Sequence, residues 1–242
     1  MRNPRFYDPQ PLCEGADIEL SSEVAQHIGK VLRMRSGAKI TLFNGNGIEF
    51  QAELTAVDKR KVSAKLLSQQ SPTVESPLQV SIGQTLSRGE RMDYAIQKST
   101  ELGVHTITPL FSERCEVKLP KDRQEKRVRH WQQISISACE QSGRSMPPDI
   151  AFPQPLDEWL KNQTADIKLV LHHHSEQPLA KVAHPESVAL LIGPEGGLTE
   201  EEVELATSYG FKPLALGPRV MRTETAPVAA LSVLNYLWGD FS

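Results

Sequence analysis

Two glycine-rich segments in the C-terminal third of this 242-residue sequence hold its densest candidate chemistry. The first is Ile192-Gly193-Pro194-Glu195-Gly196-Gly197-Leu198, followed by Thr199-Glu200-Glu201-Glu202, a capping-box pattern that opens a helix. The second is Leu216-Gly217-Pro218-Arg219-Val220-Met221-Arg222-Thr223-Glu224-Thr225-Ala226, after which Pro227 to Trp238 reads as a helix apolar almost all round. Each follows an apolar run. Ligands of open α/β sheets sit at the carboxyl ends of strands, so both segments are candidate walls of a pocket. Taken singly, either could be no more than a tight turn. Glycines before a helix N-terminus usually suggest phosphate. Here Glu195, Glu200, Glu201 and Glu202 would repel a di- or triphosphate, and neither segment has P-loop or dinucleotide spacing. A phosphate-free cofactor with a positive centre fits better. S-adenosylmethionine carries a sulfonium, and its adenosine is read mainly by backbone groups that glycines expose.

Other side chains are weighed against simpler roles. Arg222 offers a permanent cation with paired donors, or it and Arg219 simply pair with Glu224. His172-His173-His174 invites zinc, but no Cys or carboxylate pattern of ligand spacing lies nearby, so no metal is expected. Following Leu169-Val170-Leu171, His172 is instead the expected cofactor neighbour. Arg123, Arg127 and His130 recur at helical spacing beside Lys126 and Arg129, either a solvated face or a surface that steers RNA. No Gly-x-Ser-x-Gly elbow or His-Glu-x-x-His helix supports an ordinary hydrolase.

These residues need a scaffold. Composition is ordinary for a globular chain, 39% hydrophobic and 24% charged. With no bilayer-length apolar run and no signal-peptide pattern, a cytoplasmic protein without membrane attachment is expected. Cys13, Cys115 and Cys139 are too few and too widely spaced for a disulfide framework. A net charge of −3 rules out calling the whole chain a polycation. Lys and Arg outnumber Asp and Glu by 10 to 8 up to Pro72 and are outnumbered 17 to 22 beyond it, so the front is mildly basic. The polar, proline-containing stretch Ser68 to Pro77 marks a boundary, giving domains 1–72 and 73–242.

Before the boundary, Ser21 to Met34 reads as one helix with Val24, Ile28, Val31 and Leu32 on its apolar stripe. Ile40, Leu42, Phe50, Ala52, Leu54, Val62, Ala64 and Leu66 alternate along three strands of a small β-barrel-like domain. After it, strands over Leu78 to Leu86, Thr106 to Phe111, Lys168 to Leu171, Val188 to Ile192 and Pro213 to Leu216 alternate with helices, an α/β pattern. Ser87 to Glu90 fit a capping box, Met92, Ala95, Ile96, Ser99 and Leu102 form the buried stripe of that helix, and Gly103 stops it. A longer helix runs from about Asp122 to Ser142 and ends at Gly143.

The two glycine segments, with Gln97-Lys98 and Glu101-Leu102-Gly103-Val104 upstream and Glu140-Gln141-Ser142-Gly143-Arg144 between, closely resemble the RsmE family. The likeness extends to Arg2 to Tyr7 and to His27-Ile28-Gly29-Lys30-Val31-Leu32-Arg33. This is a family of bacterial enzymes that methylate uridine N3 in 16S ribosomal RNA, within the SPOUT superfamily. The resemblance implies an α/β, trefoil-knotted SPOUT methyltransferase domain with a small N-terminal PUA-like β-barrel that helps hold RNA. It also implies a homodimer acting on the 30S subunit, consistent with a terminal helix too apolar to stand alone.

On that basis S-adenosylmethionine is expected against Leu171, His172, Ile192, Gly193, Glu195, Gly196, Gly197, Leu216, Gly217, Val220, Met221 and Arg222. Methylating N3 needs a proton acceptor, ranked Glu195, Glu140, Glu101, and a fixed cation, Arg222. Glu140 stands in the last turn of its helix, against the dipole, or is a solvated carboxylate offset by Arg144. RNA contacts are expected at Arg2, Arg5, Lys30, Arg33, Arg35, Lys98, Gln141 and Arg144. A silent RNA-binding assembly factor, or a SPOUT enzyme acting on transfer RNA or a ribose hydroxyl, remain the alternatives.

Overall fold

Contacts divide the chain into two units, Met1–Glu75 with Cys139–Pro147, and Ser76–Ala138 with Pro148–Ser242. The computed structural model describes residues 3–58, 61–72, 74–172 and 184–241. The first unit holds β1 (Arg5–Tyr7), β2 (Asp17–Glu19), α1 (Ser22–Gln26), β3 (Lys39–Phe43), β4 (Glu49–Val57) and β5 (Val62–Gln70). Its sheet has the order β1-β3-β4-β5-β2, with β1 parallel to β3 and the other neighbours antiparallel. The alternating residues Ile40 to Leu66 face inward as their period demands, all at most 2% exposed. At three residues each, β1 and β2 are too short to show a period, and the sequence reading lacks them.

The helix expected over Ser21 to Met34 is shorter and changes type. α1 passes into a π-turn over His27–Val31. The wider turn rotates later residues off the apolar stripe, so Val31 and Leu32 are exposed rather than buried. Residues Cys139–Pro147, which the sequence reading leaves in the C-terminal domain, cluster with the first unit. Polar anchors explain this. Arg144 Nε donates to Glu75 Oε2 (2.8 Å), the Ser145 and Met146 amides donate to Glu75 Oε1 (3.1 Å each), and Arg5 donates to the Arg144 carbonyl (3.0 Å).

The second unit runs β6 (Gln79–Thr85), α2 (Glu90–Glu101), β7 (Thr106–Phe111), α3 (Lys121–Ser142), β8 (Asp149–Ile150), β9 (Gln154–Pro155), α4 (Leu156–Lys161), β10 (Ile167–Leu171), β11 (Ser187–Ile192), α5 (Glu200–Ser208), β12 (Lys212–Leu214) and α6 (Thr225–Trp238). The last turn of α3 belongs to the first unit. The strands make a parallel sheet ordered β12-β10-β11-β6-β7-β8, with β9 also beside β7. Both faces are covered, as all-parallel sheets require. Along β11, Val188, Leu190 and Ile192 join a core with Met92, Ile96, Trp131 and Leu231, while Ala189 and Leu191 join one with Trp159, Leu160, Ala206 and Phe211.

Helix starts divide. α5 has its capping box: the Glu202 amide donates to Thr199 Oγ1 (3.2 Å) and the Thr199 amide to Glu202 Oε2 (3.0 Å). α2 does not. Gly89, at φ 62°, is its N-cap, and the Ser87 hydroxyl is buried without a partner among the described residues. Positive φ is open to glycine and costly for other residues, so the chain turns at Gly89 and carries Ser87 away from the helix end.

Candidate active site

The sheet delivers both glycine loops to its carboxyl edge. Loop one, residues 193–199, leaves β11, and loop two, residues 215–224, leaves β12. Since β10 lies between those strands, loop two must pass the end of β10 to reach loop one. It does so: Thr223 Oγ1 donates to the Gly193 carbonyl at 2.9 Å. Between the loops lies a cavity of about 520 Å3, a volume ordinary for a small-molecule site. Leu171, His172, Ile192, Gly193, Glu195, Gly196, Gly197, Leu216, Gly217, Val220, Met221 and Arg222 all line it. Gly193 admits no side chain, because a Cβ there would stand 2.9 Å from Leu198 Cγ and 3.1 Å from the Leu198 amide nitrogen.

Charge around this cleft is unevenly committed. Arg91 donates to Glu195 Oε1 (2.8 Å), as does the Arg88 amide (3.3 Å), and Arg114 holds the Gly196 carbonyl (3.2 Å). Burial opposes ionisation of Glu195, but hydrogen bonds from its own amide, from Arg91 and from the Arg88 amide outweigh it and hold the carboxyl below its usual value. Glu195 is thus a settled anion. Arg219 and Arg222 are exposed on the cleft wall, and their side chains make no hydrogen bond or ion pair among the described residues, so the expected alternative of pairing with Glu224 is not realised. Glu224 also lines the cleft, with Oε2 buried and without a partner among the described residues.

A family described as RNA methyltransferase domain matches residues 74–235, and one described as RNA methyltransferase PUA domain matches residues 20–67. Ribosomal RNA small subunit methyltransferase E of Buchnera aphidicola subsp. Schizaphis graminum is 39% identical, over 100% of this chain and 99% of its own. The chain belongs to the ribosomal RNA small subunit methyltransferase E family. Two solved relatives each match over the full length of both chains. A putative methyltransferase of Legionella pneumophila in complex with the bound cofactor SAM has a TM-score of 0.96 at 45% identity. Ribosomal RNA small subunit methyltransferase E from Neisseria gonorrhoeae, bound to S-adenosyl methionine, has 0.94 at 41%.

For this member of the methyltransferase E family, the other expected site residues scatter. Glu101 is tied to Lys98 Nζ at 2.7 Å, and neither lines the cleft. Glu140 accepts from the Tyr7 amide (3.0 Å) within the first unit; burial pushes its carboxyl upward, against the Tyr7 amide, His27 and Arg5. Arg5 and Arg144, expected to meet RNA, are interior instead, because each is drawn inward by a carboxylate: Arg5 pairs with Glu49 and Arg144 with Glu75. Lys30, Arg33, Arg35 and Gln141 are exposed. Arg2, His173 and His174 lie outside the described residues. Among the described residues no group of three or more His, Cys, Asp or Glu is placed to hold a metal ion, and no helix is long and apolar enough to cross a membrane.

Sequence reasoning passed over Arg91, Arg114, Thr223 and Glu224 as site members. Thr223 and Glu224 sit inside the second glycine segment, so their position is legible in the sequence. Arg91, in the first turn of α2, and Arg114, just past β7, are distant in sequence, and the strand order brings them to loop one.

Proposed function

We propose that this chain methylates N3 of a uridine in 16S ribosomal RNA with S-adenosylmethionine as donor, acting on the assembled 30S subunit. The observation that carries this reading is the meeting of both glycine loops and Arg222 on one cleft, in a family whose solved relatives hold that cofactor. The cleft suits it: apolar walls from Leu171, Ile192, Leu216 and Met221 for an adenosine, bare glycine backbone, and the settled anion Glu195 for a cationic centre. When bound, the cofactor supplies an electrophilic methyl group on sulfur.

The protein's own residues must prepare the uracil. N3 is an imide nitrogen whose proton leaves as charge spreads to the flanking carbonyl oxygens. Arg222, with its guanidinium donors uncommitted, would hold one of those oxygens as the charge develops. For the proton, Glu195 and Glu224 are the carboxylates on the cleft. Glu195 gains basicity only if Arg91 releases it, whereas Glu224 already has an oxygen without a partner among the described residues.

Residues 1–72 are proposed to hold RNA through the exposed Lys30, Arg33 and Arg35, aided by Arg123 and Lys126 on α3, while residues 73–242 carry the chemistry. The trefoil knot, cytoplasmic location and homodimer belong to the same proposal. In favour of a dimer, α6 buries Ala230, Leu231 and Leu234 yet leaves Val233, Tyr236 and Leu237 exposed. The test is labelled methyl transfer to 30S subunits from a strain lacking the modification, followed by nucleoside mass spectrometry. 3-Methyluridine is expected. A methyl on ribose or transfer RNA would favour the other SPOUT reaction, and binding without transfer a silent assembly factor.

A further inference from the structure

Loop two crosses the end of β10 with Leu216 and Met221 packed on the core, and a two-link chain ties its far end to loop one. Gln84, paired opposite Ile192 in the β6–β11 register, is 1% exposed, and Thr223 is 5% exposed. Gln84 Nε2 donates to Thr223 Oγ1 at 3.0 Å, and Thr223 Oγ1 donates to the Gly193 carbonyl at 2.9 Å. The polarity is forced. A hydroxyl has one proton, and Thr223 gives it to Gly193, so whatever faces its oxygen must be a donor; Gln84 presents its amide nitrogen, leaving Oε1 buried and, among the described residues, unpartnered. A buried acceptor left without a partner is costly, so the amide is held there by what it donates to.

We propose that Gln84 and Thr223 are positioning residues, a directional tie that sets the separation of the two cofactor loops and aims Arg222, the neighbour of Thr223. Neither touches the reacting atoms. The proposal rests on the reading of the cleft as the S-adenosylmethionine site. It explains why strand β6, which contributes neither glycine loop, ends in a buried amide.

The test measures S-adenosylmethionine affinity by calorimetry, turnover on 30S subunits at saturating cofactor, and thermal unfolding, for Thr223→Val, Thr223→Ser and Gln84→Glu. Thr223→Val is expected to lose about tenfold in affinity and about tenfold in turnover, with Thr223→Ser within about twofold of the unchanged protein. Gln84→Glu replaces a donor by a group that donates only when protonated. Its affinity is expected to approach that of the unchanged protein at acidic pH and to fall as pH rises, a profile that lost packing would not produce. A flat profile for Gln84→Glu, with affinity like that of the unchanged protein, overturns the tie even if Thr223→Val fails to fold. If the unchanged protein takes up no S-adenosylmethionine, the cofactor reading itself fails, and the two failures are distinguishable.

Discussion

Arg144 and Arg222 are the same side chain in two units of one chain, under opposite rules. Arg144 is 4% exposed and tied to Glu75, whose other oxygen also takes two backbone amides. Nearby, Arg5 pairs with Glu49 and lies over the Phe43 ring at 5.1 Å. Arg222 stands exposed at a cleft with no partner among the described residues. A cation taken out of water must have its charge answered by the protein, whereas one left in water at a cavity wall keeps its donors for whatever enters. The buried pair Arg5 and Arg144, then, serves architecture. Arg222 on the cleft wall remains available for chemistry, and the same residue type in the same sequence cannot be assigned without knowing its surroundings.

That contrast can be broken. Arg144→Ala should cost about 2–4 kcal/mol in urea unfolding, because it leaves Glu75 only its two amide donors; a loss below about 1 kcal/mol would mean that the pair is not structural. Arg222→Ala should leave stability nearly untouched and lower turnover by about 10²–10³-fold, with S-adenosylmethionine affinity within about threefold. Equal losses of turnover and affinity would show that Arg222 builds the pocket rather than answering charge on the base. Gly193→Ala reverses that pattern. Its methyl must displace Leu198, so affinity should fall by about tenfold while turnover at saturating cofactor falls less; unchanged affinity would mean that loop one gives way freely.

The sequence was legible where a physical signal repeats within a few residues. Period two marked Ile40 to Leu66, continuous apolar runs marked β6, β7, β10 and β11, and the glycine loops named their own positions on the cleft. It was opaque wherever the deciding partner is distant. Ser87 looks like a cap until Gly89 turns the chain, and nothing near Arg5 in sequence announces Glu49, 44 residues away. Glu140 shows both sides. Its clash with the helix dipole is visible locally and is a genuine oddity, but the oddity is answered by the Tyr7 amide, 133 residues distant, and not by the cleft.

Glu140 therefore supplies the finest test of the contrast. Burial raises its carboxyl above the ordinary value, against the opposing pull of the Tyr7 amide, His27 and Arg5. A carboxyl with a raised folded pKa holds its proton more firmly in the folded state. Its contribution is most favourable below the unfolded value of about 4.3 and declines as pH rises through the folded one. Glu140→Gln keeps an oxygen for the Tyr7 amide and removes the titration. Stability at neutral pH should be equal or higher by less than about 1 kcal/mol, with a flatter profile above about pH 4 in urea unfolding at stepped pH. Turnover should not change, since Glu140 does not line the cleft. A collapse of turnover with stability intact would move Glu140 from the side of Arg144 to the side of Arg222, and burial with a partner would no longer separate structural charge from working charge.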